Sequence, residues 1–432
     1  MEETLSRIGK VNNGVGTFQL KSVLVHNDAG DWGTEPDVNA IGIIRSTNFN
    51  NNGKLDLSDI AYRTLSPQKL KEKELNTSDI LIERSGGSDT QPVGRVGFIT
   101  DTIAKGHYAF ANFIQRITLD NTVDAKFVYY CLQQLYEMGV TASMQFQTTG
   151  IRNLDWKFYL KTILPKPTKA EQTAIANLLS KVDDAITSVQ NSIVAAERLK
   201  KSLMQNLLTG KMKPDGSFRT PKEFYIDEKF GKLPVGWEVK KLKDIANIQR
   251  GKFGHRPRND ERFYNGKYPF VQTSDVVESI FYLKKASQTL NDMGVSVSKC
   301  FPPNTIIMTI AANIGYVVLT NYPVYFPDSL IGINVNENVI LPSFTLLQLM
   351  GYKNILDAQA TESAQKNINY SNLRPLPIAF PINKKEQQHI VDKVTTIFSE
   401  IDYMNSKIVV LERLKKSLMQ NLLTGIVRIN KN

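Results

Sequence analysis

The chain has 432 residues, 41% of them hydrophobic, and a net charge of +11. That is enough for two to four domains with real cores, and the basic balance points to a polyanionic partner such as nucleic acid, with plain solubility as the competing reading. The longest apolar run, Ile306 to Leu319, is broken by Thr309 and Asn313 and is too short for a bilayer, and the N-terminus MEETLSRIGK lacks a signal pattern.

Cys131 and Cys300 stand alone, with no CxxC or metal-ligand spacing; both are expected as small core residues in a reduced, cytoplasmic protein. Up to about Pro165, short β-branched runs bounded by Gly, Pro and Asn alternate with helical pieces such as Phe127 to Met138, which predicts a mixed α and β domain. Two segments in it read as loops: Arg84-Ser-Gly-Gly-Ser88 and Thr148-Thr-Gly-Ile-Arg152. Glycines let backbone amides approach a phosphate and arginines can grip guanine, so Arg84, Ser85, Gly86, Thr148, Thr149 and Arg152 are candidate DNA contacts.

Next comes Thr168 to Thr209, with no Gly or Pro over its whole length, and Asn383 to Thr424 shares that feature. Thr168 and Asn383 are capping residues with Glu171 and Glu386 three positions on, a capping-box pattern. Pro167 and Pro381 block backward extension, and Gly210 and Gly425 can close each helix in the left-handed conformation. Ile175, Val182, Val189, Ala196 and Leu203 recur every seven residues beside a second row of Leu179, Ile186, Ile193 and Leu207. The later segment repeats both rows, with Ile390, Ile397, Met404, Leu411 and Leu418 beside Val394, Ile401, Ile408 and Leu422. Such a period marks a coiled-coil seam about 60 Å long. Pairing the two helices antiparallel within the chain would relate the halves by a pseudo-twofold axis.

Glu197 to Gly210, ERLKKSLMQNLLTG, returns letter for letter at Glu412 to Gly425, so the chain is an internal duplication. Seam packing does not require identical polar residues. Arg198, Lys200, Lys201, Gln205 and Asn206, matched by Arg413, Lys415, Lys416, Gln420 and Asn421, are therefore read as exposed faces. Docking of one partner surface twice and recent duplication both explain that identity; the candidate docking residues are Arg198, Lys201, Gln205, Arg413, Lys416 and Gln420.

Lys213 to Lys232 reads as a polar connector, and a second mixed domain runs from about Leu233 to Phe380. Its segments Thr305-Ile-Ile-Met308, Ile314-Gly-Tyr-Val317, Tyr325-Phe-Pro-Asp-Ser-Leu330 and Lys366-Asn-Ile-Asn-Tyr370 answer Asp79-Ile-Leu-Ile82, Val96-Gly-Phe-Ile99, Ala109-Phe-Ala-Asn-Phe-Ile114 and Arg152-Asn-Leu-Asp-Trp156. Glu238 to Tyr268 holds nine Lys or Arg against four acids, and its glycines and Pro257 make Arg250 to Arg258 a loop. A basic loop with Phe253 inside it is a candidate for phosphates and base edges, or else simply solvated. Arg250, Lys252, His255, Arg256, Arg258 and Lys366 complete the candidate DNA contacts.

Catalytic signatures are missing. There is no GxxxxGK[ST], GxSxG or HExxH, and Phe301-Pro-Pro-Asn304 has the prolines of the adenine-methyltransferase tetrapeptide with the wrong flanks. No catalytic residue and no metal ligand is assigned. A binding protein is the favoured reading; a duplicated enzyme without familiar motifs and a stand-alone DNA-binding regulator are the alternatives.

With Pro-x-x-x-x-Glu-Gln before the helices, LKKSLMQNLLTG at their ends and Leu233-Pro-Val-Gly-Trp237 opening the second domain, the chain resembles the DNA-specificity subunit of a type I restriction–modification system over its whole length. The first half has Phe18-Gln-Leu-Lys21 where the Pro-x-Gly-Trp motif would stand, and Pro167 lies one position closer to its Glu-Gln pair than Pro381 does. The resemblance implies a mixed α+β fold: two α/β target-recognition domains joined by two long helices that form an antiparallel coiled coil, with pseudo-twofold internal duplication. The expected segments are 1–166 and 233–380 for recognition, 167–212 and 381–432 for the repeated helices, and 213–232 for the connector. It also implies a non-catalytic ruler on double-stranded DNA, reading a bipartite, non-palindromic target. Two methyltransferase subunits would bring S-adenosylmethionine, and a restriction/translocase subunit ATP and Mg; no cofactor is expected on this chain and no membrane partner.

Overall fold

The computed structural model describes residues 5–12, 14–88, 91–148, 151–228, 230–311, 313–361, 368 and 370–429. They form two compact units, one of Met1–Val189 with Lys407–Asn432, the other of Gln190–Ser406. In the first unit, β1 (Leu24–Ala29), β2 (Ile80–Glu83), β3 (Val96–Phe98) and β4 (Ile114–Leu119) make an antiparallel sheet in the order β1-β4-β2-β3. β2 is buried along its whole length, as a strand covered on both faces must be. Helix α1 (Ala125–Glu137) packs against β3. The Asp124 carboxylate caps it by accepting from the Phe127 amide at 2.9 Å, and Gly139 stops it with φ of 73°. The first long helix, α2 (Lys169–Leu207), starts in this unit.

The second unit repeats the plan. Strands β5 (Ala246–Arg250), β6 (Ile306–Thr309), β7 (Val317–Leu319) and β8 (Leu330–Val335) pair antiparallel in the order β5-β8-β6-β7. Helix α3 (Pro342–Gly351) follows β8 as α1 follows β4, and the second long helix is α4 (Lys384–Leu422). Each unit adds a small sheet: Ile41–Ile44 between Ala61–Arg63 and Ala109–Phe110, and Tyr264–Phe270 between Gln288–Leu290 and Val324–Tyr325. Gly16–Gln19 pairs with Ile163–Lys166 just before α2, and Trp237–Lys241 with Pro377–Pro381 just before α4. The Leu20 and Leu242 amides donate to the Thr162 and Leu376 carbonyls, so Val15 holds the place that Trp237 holds in the other unit, and Val15 lies against Gly425 as Trp237 lies against Gly210.

Asp79–Ile82 and Thr305–Met308 correspond in register. Val96-Gly-Phe-Ile99 does not correspond to Ile314-Gly-Tyr-Val317: β3 pairs with β2 as β7 pairs with β6, so its counterpart is Val317-Val-Leu-Thr320. Pairing register outranks letter similarity because a slip by one residue reverses every side chain. Nor is Lys213–Lys232 a plain connector, since Phe224–Asp227 and Gly231–Pro234 form a hairpin. Cys131 is buried, but Cys300 is exposed, because on its short edge strand Phe301 takes the inward position.

The long helices realise the seam. At about 1.5 Å per residue, 39 residues make each about 58 Å long. Within the first unit, Ile175, Ala176 and Leu179 of α2 join one core with Met419, Leu422 and Leu423 of α4. Within the second, Leu207 and Leu208 join Ile390, Val391, Val394 and Phe398. The start of one helix therefore packs on the end of the other, an antiparallel pairing. Gly210 and Gly425 close the helices with φ of 66° and 71°.

The capping box forms only in half. The Glu171 amide donates to Thr168 Oγ1 at 3.3 Å and the Lys385 amide to Asn383 Oδ1 at 2.9 Å. The glutamates turn elsewhere. Arg428 donates to both Glu171 carboxylate oxygens at 2.7 and 2.6 Å, while Glu386 accepts from Arg219 at 2.5 Å and from the Trp237 indole at 3.1 Å. A guanidinium outcompetes a neutral backbone donor for a carboxylate. The next residue explains the Glu-Gln motif. The Gln172 amide group donates to the Pro167 carbonyl and accepts from the Asp124 amide, and Gln387 does the same for Pro381 and Leu341. One glutamine thus ties the start of each long helix to the start of its shorter neighbour.

Candidate nucleic-acid interface

The first-unit candidates converge. Ser85–Gly87 is a strand, not a loop, and pairs with Ile151–Leu154, which forms a hairpin with Gln145–Thr148. The Ser85 hydroxyl donates to Asn153 Oδ1 at 2.6 Å. Arg84 is exposed, with Nη1 3.5 Å from Gln115 Oε1; Gly86 is exposed with φ of 106°, and Arg152 is half-buried. Thr148 ends the first hairpin strand; Thr149 lies outside the described residues. Two segments far apart in sequence thus share one sheet, with Phe146 and Ile151 exposed on its outer hairpin.

In the second unit Arg250 ends β5, and residues 251–260 form the expected loop. Arg250, Lys252, Arg256 and Arg258 are exposed, while His255 stacks on Phe263 at 4.2 Å and contacts Asp260 at 2.9 Å. A hydrogen bond from Arg262 holds the Asp260 carboxyl well below the usual carboxylate range. Arg256 donates to the Phe253 carbonyl at 2.7 Å, and both Arg256 and Arg258 pair with Asp328. Phe253 is no base-contacting ring. It is 3% exposed, packed with Phe263, Phe270, Leu290 and Tyr325, and anchors the loop from inside. Lys366 lies outside the described residues.

The docking candidates Arg198, Lys201, Gln205, Arg413, Lys416 and Gln420 are all exposed on their helices. Lys415 departs from expectation. Its side chain is 9% exposed and pairs at 2.7 Å with Asp183, which also accepts from the Tyr130 hydroxyl at 2.8 Å. A charge buried this far is sustained only by such a partner.

One pattern escaped sequence reading. The basic loop has a counterpart in the first unit, Gly30-Asp-Trp-Gly-Thr-Glu-Pro-Asp37 against Gly251-Lys-Phe-Gly-His-Arg-Pro-Arg258. The Gly30 and Gly251 amides donate to the carbonyls of Ile114 and Leu330, the first residues of β4 and β8. The next amides, of Asp31 and Lys252, donate to Phe110 and Phe326. A side chain at either glycine would collide with the Phe110 or Phe326 carbonyl, since an added Cβ would lie 2.1 Å from the Phe110 oxygen at Gly30 and 2.5 Å from the Phe326 oxygen at Gly251. The two loops are therefore anchored alike, although Gly33 takes a φ of 69° that Gly254 does not share and Arg256–Pro257 is cis where Glu35–Pro36 is not. The charge is reversed at Asp31/Lys252, Glu35/Arg256 and Asp37/Arg258. The shared Gly-x-aromatic-Gly-x-x-Pro spacing was the available signal.

The family described as type I restriction modification DNA specificity domain matches residues 33–198 and 234–413. The chain belongs to that family. It is 25% identical over 375 residues to the type I restriction enzyme MjaVIII specificity subunit of Methanocaldococcus jannaschii, covering 84% of this chain and 82% of the relative. It is 24% identical over 300 residues to the EcoBI specificity subunit of Escherichia coli, covering 67% and 62%. In fold it is similar to the type I restriction–modification S subunit of M. genitalium, at 14% identity with a TM-score of 0.59, covering 97% of this chain and 99% of that one. Specificity subunits are the non-catalytic, DNA-recognition chains of these enzymes, and this chain is one of that kind. None of the described helices is long and apolar enough to cross a membrane.

Proposed function

We propose that each unit reads one half of a bipartite, non-palindromic double-stranded DNA target, and that the helix pair sets the distance between the half-sites. The observation that carries this is one frame built twice: equal sheet order, equal helix ends and unlike loop chemistry. A frame held constant suits a spacer, and diverged loops suit two different sequences. The exposed identical residues of the helix ends support docking of the same methyltransferase surface twice. A solved structure similar in fold, at 14% identity and a TM-score of 0.51, concerns complex assembly of a type I system, in keeping with a multisubunit partner.

On this reading the chain works in the cytoplasm and holds no cofactor; S-adenosylmethionine, ATP and Mg belong to methyltransferase and translocase partners. Arg84, Arg152, Arg250, Lys252, Arg256, Arg258 and Lys366 are the proposed contacts. Removing four residues within Thr187 to Glu197 shortens α2 by about 6 Å. The accepted spacer should change while both half-sites stay as they were, as read by methylome sequencing. A changed half-site with unchanged spacing refutes the ruler. Arg256→Ala and Arg258→Ala should weaken recognition of the second unit's half-site alone; an equal loss on all sequences, with a shallower salt dependence, assigns them to phosphates.

A further inference from the structure

The repeated loop walls a cleft in each unit. In the first, a cleft of about 400 Å³ is lined by Trp32, Arg45, Ala111 and Phe113. In the second, one of about 200 Å³ is lined by Phe253, Arg258, Gln272, Gln288 and Pro327. Three of these positions are equivalent. Trp32 and Phe253 share a place in the loop, and Ala111 and Pro327 each accept, through their carbonyls, the amide of the first residue of the next strand. Arg45 and Gln272 share a local hydrogen-bond signature. The Arg45 amide donates to Asn48 Oδ1 at 2.9 Å and the Gln272 amide to Asp275 Oδ2 at 2.8 Å. In return the Asn48 and Asp275 amides donate to the carbonyls of Arg45 and Gln272. The anchoring hydrogen bonds and the caps are kept; the lining is not.

Three explanations can be weighed on chemistry. A cleft that only completes a core would keep complementary apolar residues, yet here an arginine answers a glutamine. A grip on phosphate would keep positive charge at equivalent positions of both copies, because every phosphate is alike, yet Arg45 answers to Gln272 and Arg258 to Asp37. A cleft that meets a different base in each copy needs a constant frame and an unlike lining. Arg45 has a further mark: its Nη2 pairs with the exposed Asp59 at 2.8 Å, while its buried Nε has no hydrogen-bond partner. Buried donors are ordinarily satisfied, so Arg45 is incompletely paired within the unit.

Resting on the DNA-recognition reading above, we infer that this duplicated cleft is where each unit reads a base edge, with Arg45 and Gln272 as equivalent specificity-determining residues. Arginine is matched to the O6 and N7 acceptors of guanine, and glutamine to N6 and N7 of adenine. Arg45 therefore selects a guanine in the first half-site and Gln272 an adenine in the second.

The test is the methylome of cells that carry the full chain with the methyltransferase subunits of its own system. Arg45→Ala should lower discrimination at one guanine position of the first half-site by about tenfold or more, a bidentate contact being worth roughly that much. Gln272→Ala should do the same at one adenine of the second. In each variant the untouched half-site in the same reads reports that the chain folded and assembled. Arg45→Gln should move the preferred base at that position from guanine toward adenine. Unchanged half-sites in all three variants, or a loss spread evenly over every position, overturns the inference and leaves the DNA-recognition reading intact. A wild-type methylome without a bipartite motif sinks both.

Discussion

The fourteen residues from Glu197 to Gly210 and from Glu412 to Gly425 are identical, yet their central lysines live differently. In the first unit Lys415 is buried against Asp183 and lies 5.7 Å from the Tyr130 ring. In the second, Lys200 is 22% exposed, pairs with Glu197 on its own helix and lies over the Phe398 ring at 5.3 Å. Phe398 holds the place on α4 that Asp183 holds on α2, and Leu347 on α3 faces the core where α1 presents Tyr130. One peptide thus makes a buried ion pair in one unit and a cation–aromatic contact in the other. Identity of sequence conserved the helix; the opposing surface decided what the lysine does.

These lysines should give the largest difference between the units. Lys415→Ala leaves Asp183 buried without its cation and should lower the stability of the first unit by about 3 kcal/mol. Lys200→Ala removes a half-exposed contact and should lower the second by under about 1 kcal/mol. Urea unfolding, with hydrogen exchange of α1 against α3, reads both; equal losses would show that the environments do not differ energetically. Tyr130→Phe should cost about 1 kcal/mol by the same measurements, because Asp183 loses one hydrogen-bond donor. No loss there assigns the ion pair alone to that site.

Acid should give the smallest effect. Lys69 and the Gly33 amide hold Asp31 below the usual carboxylate range, and Lys213 with Thr220 holds Glu223 down to about 2. A folded pKa below the unfolded value means stability that is present above about pH 4 and lost as pH falls through the folded value. Asp31→Asn and Glu223→Gln should each flatten the acid limb of their own unit slightly and leave neutral pH alone. Both groups are half-buried but in contact with solvent, so 1 M salt should erase much of the difference; an acid limb unchanged by either substitution shows that these pairs do not contribute.

The same division runs through the candidate interface. Arg250 to Arg258 was legible as a basic loop because glycine, proline and charge act locally. The sheet that joins Ser85–Gly87 to Ile151–Leu154 was not, since its strands lie more than sixty residues apart and neither has the alternation of a half-buried strand. Arg45 and Gln272 were invisible for a related reason: each became notable only as its counterpart's equivalent, through hydrogen bonds that no spacing rule exposes.

By itself the sequence determined the two long helices with their start and stop residues, their seam, the duplication and the absence of familiar catalytic motifs. Periodicity, helix-breaking residues and exact repetition are properties of neighbours along the chain, and neighbours need no fold to be read. Tertiary structure alone decided that Glu171 and Glu386 serve arginines instead of caps, that Lys415 is buried, and that an acidic loop and a basic loop occupy equivalent places. Those outcomes depend on which distant surfaces meet, and burial, which sets the strength of a charge's interactions, exists only once they have met.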